Sequence, residues 1–455
     1  MVINKTFIDN EKSYKLKNKL MYKIGGKCMV TIQEEVKNFN GLNVHFVPNE
    51  KFKTVHIVVK FRAPLSRETI TKRALLPYVL QQGPKKYPSR KELQIVLDDL
   101  YGAVLSIDGG KKGDSHILSF RLEVANEKFI PNESNIMDKA VSLLNDVIFH
   151  PNVDGKSFHD TVFNREKETL KQKIRSIVDD KMKYANMRLI DEMCEGETFK
   201  THVSGYEEDL TSLTSQDLYQ YYQDLLKNDQ IDIYVLGDVE VNKMEEVISS
   251  SFKREGYQND NKKADTEQST SKKEVKEVIE EQNIQQAKLH IGYRTNIRFQ
   301  DSNYAALQVF NGVLGGFPGS KLFINVREKN SLAYYASSRL ESHKGLLLVF
   351  SGIAPKDYKK ARDIMEEQME AMKNGDITEN ELKETKDLIV NSLQETLDHP
   401  QGIIEMLYQQ VIADTQITPN ELIENIKKVT LEEVIEVGKS IVEDTVYLLT
   451  NEGGA

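Results

Sequence analysis

Metal chemistry is the first possibility the residue types raise, because the chain carries nine histidines, at positions 45, 56, 116, 150, 159, 202, 290, 343 and 399. Two ligands on one helix must stand three or four residues apart to point at the same ion. The closest pair here, His150 and His159, is nine apart, so no zinc motif forms. Cys28 and Cys194 are too few for a thiolate cage or a disulfide framework. There is no Gly-x-Ser-x-Gly elbow to present a serine nucleophile. Gly315-Gly-Phe-Pro-Gly-Ser-Lys321 has the wrong order for a phosphate loop and reads as a flexible loop after a helix C-terminus. His56 and His290 fall in apolar β runs and read as core or face histidines. Glu166 and Glu168 read as a solvated helix face, and Met187, Met193, Met365, Met369 and Met372 as helix packing.

Elements of ordinary globular domains must position whatever chemistry there is. The chain has 455 residues, a net charge of −9, 39% hydrophobic and 29% charged residues, enough for two to four cores. An acidic chain without a long Lys/Arg block lacks the positive face that displaces counterions from phosphates, which argues against nucleic acid as a partner. No apolar run is long enough for a membrane span or a signal h-region, so a cytoplasmic location is expected. Residues 1–28 are Lys/Asn-rich, and Gly25-Gly26 is what an in-frame ribosome-binding sequence would encode before a start at Met29. They are expected to be a non-native or disordered extension. Residues 253–275 carry almost no large apolar side chain and read as a polar linker between lobes at 29–252 and 276–455.

Internal repetition supports that division. His56 and His290, in the runs Thr54-Val-His-Ile-Val-Val-Lys-Phe-Arg62 and Ala287-Lys-Leu-His-Ile-Gly-Tyr-Arg294, stand 234 residues apart. The helix-ending glycines Gly83 and Gly316 stand 233 apart. Each lobe closes with a capping box, Thr214-x-x-Asp217 or Thr430-x-x-Glu433, opening a helix that feeds a strand. The expected fold is α+β: two duplicated lobes, each a largely antiparallel sheet packed with helices. Each would open on a hairpin, the first turning at Pro48-Asn49-Glu50, with long helices near 164–195 and 358–395 covering the sheets.

Several segments together resemble the pitrilysin/insulinase (M16) metallopeptidase family: Gly41-Leu-Asn-Val-His-Phe-Val-Pro-Asn49, Leu100-Tyr-Gly-Ala-Val-Leu105, Arg165-Glu-Lys-Glu168, and above all Leu314-Gly-Gly, Ser320-Lys-Leu-Phe, Val326-Arg-Glu-Lys and Leu332-Ala-Tyr334. Active members carry His-x-x-Glu-His on the first-lobe helix. The resemblance places Ala74, Pro77 and Tyr78 at those three positions and Lys173 at the downstream glutamate ligand. Ala and Pro offer no donor, a neutral phenol is a poor zinc ligand and a cation repels the ion, so no metal is expected in this chain. The family's Arg and Tyr, seven apart, are matched by Arg327 and Tyr334. The resemblance implies that these side chains reach a zinc site on a partner lobe and hold a substrate carbonyl and its oxyanion. A structural Arg327 ion pair with Glu328 or Glu341 and a half-buried Tyr334 are the alternative. The expectation is a zinc-free subunit that forms half a peptide chamber and donates Arg327 and Tyr334 to a homologous zinc-bearing partner in a heterodimer. A non-catalytic scaffold or a peptide-binding homodimer is the other possibility. Phe310, Val313, Leu314 and Phe317 would be core or chamber wall. Strand edges near 106–108 and 337–340 would accept an extended peptide. The Arg73-Ala-Leu-Leu-Pro-Tyr-Val-Leu-Gln81 stretch is similar to zinc-lacking Gram-positive proteins associated with aminopentanol modification of elongation factor P.

Overall fold

The computed structural model describes residues 32–39, 41–254 and 274–453; the 1–28 extension and linker residues 255–273 lie outside the described residues. The first lobe opens with β1 (Glu35–Phe39), β2 (Leu42–Pro48), β3 (Thr54–Pro64), α1 (Ile70–Leu80) and α2 (Arg90–Asp99). The hairpin β4 (Val104–Lys112) and β5 (Ser115–Ala125) follows, then α3 (Ile136–Phe149) and a short ladder of β6 (Val153–Asp154) with β7 (Ser157–Phe158). It ends with α4 (Asp160–Arg175), α5 (Lys181–Met193), α6 (Glu207–Ser212), α7 (Ser215–Asn228), β8 (Gln230–Gly237) and α8 (Val241–Ser251). The second lobe has β9 (Lys276–Glu281), β10 (Ala287–Arg294), α9 (Tyr304–Asn311), β11 (Ala333–Glu341) and β12 (Leu346–Ile353). After these come α10 (Tyr358–Asn374), α11 (Glu379–Thr396), α12 (Pro400–Ala413), α13 (Pro419–Lys428), α14 (Leu431–Ser440) and β13 (Val442–Thr450).

The sheets run β1-β2-β8-β3-β5-β4 and β9-β13-β10-β12-β11. Strand for strand the second repeats the first without β1, down to the one parallel pair in each, β2 with β8 and β9 with β13. His56 and His290 occupy the equivalent strands β3 and β10. The expected opening hairpins are corrected here. β8 lies between β2 and β3, pairing Val44 with Ile233 on one side and Ile57 with Val235 on the other. All but the first residue of β8 are buried, and such a strand needs hydrogen-bonding neighbours on both edges. The two long helices are each broken. Asp180 caps α5 by accepting from the Lys183 N–H at 3.1 Å, and Gly375 at φ +79° ends α10 before Thr378 opens α11 with a capping box. The boxes at Thr214 and Thr430 form as the spacing predicts.

Each sheet is covered on one face by its own lobe and on the other by a helix of the opposite lobe. α5, from the first lobe, puts Ala185, Leu189 and Met193 against Leu346, Leu348, Phe350 and Tyr447. Gly292 on β10 lets it approach: a Cβ there would lie 2.5 Å from Met193 Sδ. α12, from the second lobe, lays Ile404, Leu407 and Tyr408 in the same cluster as Val58, Ile117, Tyr234 and Leu236 of the first sheet. The Tyr408 and Tyr234 rings meet edge to face at 6.1 Å. Between them, Lys60, with 1% of its side chain exposed, bonds Glu405 of α12 at 2.5 Å. The lobes are clasped reciprocally. The tips of the equivalent hairpins also meet, where Lys344 bonds Asp114 at 2.9 Å.

Candidate functional site

α1 would carry the metal ligands of an active relative, and its residues do not fit a zinc ion. Ala74 and Pro77 are buried among apolar neighbours. Tyr78 is half-buried, with Lys173 of α4 lying over its ring, Nζ 5.5 Å from the centroid. Of the four degenerate positions the structure thus brings together Tyr78 and Lys173, in a cation–π contact that joins the two helices. Glu166 on α4 is buried and accepts from Arg165 Nε at 2.7 Å, which corrects its reading as a solvated face. Sequence reasoning also passed over Arg73. Its guanidinium is buried, donating to His116 Nδ1 at 2.8 Å, Asp229 at 2.7 Å, Tyr221 Oη at 3.2 Å and the Phe61 carbonyl at 3.3 Å. Burial and the Arg73 charge hold His116 well below its ordinary pKa, so this histidine is a neutral acceptor for Arg73 of α1. An arginine directly before the apolar run Ala74-Leu-Leu76 was the available signal. Among the described residues no group of three or more His, Cys, Asp or Glu side chains is placed to hold a metal ion.

The second lobe builds a different surface. After α9 the chain continues in two wide, π-helical turns, Gly312–Gly316 and Phe323–Glu328, so the expected flexible loop is in part ordered helix. The first turn sits against β11. A Cβ on Gly315 would lie 2.7 Å from the Ser338 amide nitrogen, and Ser338 Oγ bonds Asn311 Oδ1 at 2.8 Å. Asn325 fixes the second turn: its Nδ2 donates to the Lys321 carbonyl at 3.0 Å and to Gln368 of α10 at 2.6 Å, and its carbonyl accepts from Asn330 at 2.8 Å. Ser331 N–H then bonds the Arg327 carbonyl at 3.0 Å, and Leu332 N–H the Val326 carbonyl at 3.0 Å. These bonds fix the path over the seven residues from Arg327 to Tyr334.

Both side chains of that pair reach solvent. Tyr334, the second residue of β11, has 75% of its surface exposed and is not half-buried as the alternative required. Arg327 is 44% exposed, with Cζ 4.6 Å from the Phe323 ring centroid and Nε 3.5 Å from Glu328. The ion pair with Glu328 is present, whereas Glu341 pairs with Arg339 at 3.1 Å. β4 and β11, which hold the segments near 106–108 and 337–340, are edge strands of their sheets. Phe310, Val313 and Leu314 are core, with Phe317 packed against them.

A family model described as the peptidase M16 inactive domain matches residues 212–389. Over 430 residues, 94% of this chain and the whole of the relative, the sequence is 45% identical to the probable inactive metalloprotease YmfF of Bacillus subtilis (strain 168). The chain belongs to the M16 peptidase family. A crystal structure of a conserved protein from Enterococcus faecalis V583 superposes with a TM-score of 0.85 at 35% identity, covering 92% of this chain and 98% of that one. The uncharacterized zinc protease YmxG of Bacillus subtilis (strain 168) is 25% identical over 328 residues, 69% of this chain and 75% of its own. Within the M16 family this chain is an inactive-type member.

Proposed function

We propose that the chain is the zinc-free half of a two-subunit M16 peptidase, inert alone, which forms part of a peptide chamber and donates Arg327 and Tyr334 to the zinc site of a homologous partner. The observation that carries this reading is the pairing of opposites. The positions that the resemblance assigns to the zinc ligands hold Ala74, Pro77, Tyr78 and Lys173, while Arg327 and Tyr334 stand exposed on a braced turn and a sheet edge, and no group of three or more His, Cys, Asp or Glu among the described residues is placed to give them a metal to serve. Zinc in the partner would polarise the scissile carbonyl. A guanidinium and a phenol held beside it would donate hydrogen bonds to the oxyanion as charge develops, and removing one such donor typically costs about 10²–10³ in rate. The edges of β4 and β11 offer unpaired backbone groups along which an extended peptide can add as a strand. No helix among the described residues is long and apolar enough to cross a membrane, and a cytoplasmic, peptidase-linked role accords with this reading.

The test is isolation of the complex from its own cells through a tag on this chain, followed by cleavage assays on a mixture of internally quenched peptides. A stoichiometric zinc-bearing partner is expected, with Arg327→Ala lowering kcat about 100-fold and Tyr334→Phe lowering it less. Unchanged rates in both variants would remove the donor role. A homodimer without cleavage would point to peptide binding, and co-purification among unrelated proteins to a scaffold.

A further inference from the structure

Phe323 is an aromatic residue that the fold does not need for its core. It is partly exposed and, among the described residues, belongs to none of the three hydrophobic clusters. Its neighbours in the same turn are committed to the fold: Leu322 and Val326 are core residues, and Asn325 is bonded to Gln368 of α10. What the ring does meet is the Arg327 guanidinium, one turn on, with Cζ 4.6 Å from its centroid. A π-helical turn needs about 4.4 residues, so positions four apart lie nearly above one another, and such turns recur at functional sites. A long arginine side chain that is 44% exposed loses its rotamer freedom only if something holds it. Glu328 at 3.5 Å is itself half exposed and holds it weakly. A flat ring face constrains the plane of the guanidinium while leaving its N–H groups free at the rim.

We infer that Phe323 is a positioning residue: its ring is the platform that aims the Arg327 guanidinium before a substrate carbonyl arrives. This rests on the donor reading above and deepens it, since pre-orientation is what makes such a donor effective in the transition state. The platform acts through Arg327 and touches no substrate. Loss of its π face should therefore lower kcat with little change in KM.

The experiment uses the complex purified through this chain and the same quenched peptides. Phe323→Leu keeps apolar bulk and removes the π face, and Phe323→Tyr keeps both. Phe323→Leu should lower kcat about fivefold, the worth of an exposed cation–π contact, with KM and the thermal midpoint unchanged. Phe323→Tyr should retain the wild-type rate, and Phe323→Leu should add nothing in an Arg327→Ala background. If Arg327→Ala lowers the rate and Phe323→Leu does not, or if the two losses multiply, the platform role is wrong while the donor role stands. If Arg327→Ala itself has no effect, or no zinc-bearing subunit co-purifies, the donor reading fails and this inference falls with it.

Discussion

Two carboxylates flank one buried imidazole on β2 of the first sheet. His45 Nδ1 lies 2.7 Å from Glu34, Nε2 lies 3.4 Å from Asp232, and the ring stacks on Tyr234 at 4.2 Å. Burial disfavours the charged ring, but the two carboxylates outweigh it and raise the pKa to about 9. A folded pKa above the unfolded value of about 6.5 means that protonated His45 stabilises the fold fully below about pH 6.5, and that this contribution is lost as pH rises through 9. His45→Gln should therefore destabilise by about 3 kcal/mol in urea unfolding at pH 6 and far less at pH 10. A gap that stays constant across that range would mean the ring is neutral in the folded protein. The contrast with His290 is instructive. That ring is buried edge-on to Phe350, and burial pushes its pKa down to about 3. Residue type alone did not separate a buried cation from a buried neutral ring; the facing charges did.

At the scale of elements, the turn after α9 decides where β11 and its exposed Tyr334 lie. Gly315 is needed there for space: any side chain would press on the backbone of Ser338 and on Leu322. Gly315→Ala should cost about 2 kcal/mol or more in denaturant unfolding and shift β11. Gly319→Ala faces open space and only the strain of φ +95°, so its cost should stay near 1 kcal/mol. Equal effects at the two positions would show that the turn gives way. The sequence made the capping boxes, the duplication and the Arg327 to Tyr334 spacing legible, because each is a local pattern or a simple offset. It hid the place of β8 between β2 and β3, because Ile233 and Val44 are nearly two hundred residues apart and an apolar strand does not name its neighbours. The helix breaks were written locally, at Asp180 and Gly375, but amphipathic periodicity ran past them. Within the candidate site, the Phe323 platform and the Asn325 bonds were out of reach, since both depend on side-chain direction in a wide turn that periodicity does not encode.

Over the whole molecule, the reciprocal placement of α5 and α12 makes the two lobes one mechanical unit. Strands such as β10, buried at every position, show why: both faces of each sheet must be covered, and one cover comes from the other lobe. Lys60 tests this at a single point. It sits on the face of β3 toward α12, over the Tyr408 ring at 4.5 Å and bonded to Glu405, which also lies 3.3 Å from Lys112. Burial lowers the pKa of Lys60, and the two lysines hold Glu405 below its ordinary value despite its own burial. Glu405→Gln leaves a buried ammonium without its counter-charge. Because Glu405 is partly open to solvent, the loss should be about 2 kcal/mol, below the full penalty of a buried broken pair. Lys60→Met with Glu405→Gln removes the stranded charge and should recover most of it. In wild type, tyrosine fluorescence and circular dichroism should report one coincident unfolding transition, since neither sheet keeps its second cover when the other lobe unfolds. Two separated transitions, or a Glu405→Gln variant as stable as wild type, would show that the lobes fold independently. If they do not, this chain has no freedom to open between its own lobes, and under the function proposed above a peptide would be admitted by movement against the second subunit.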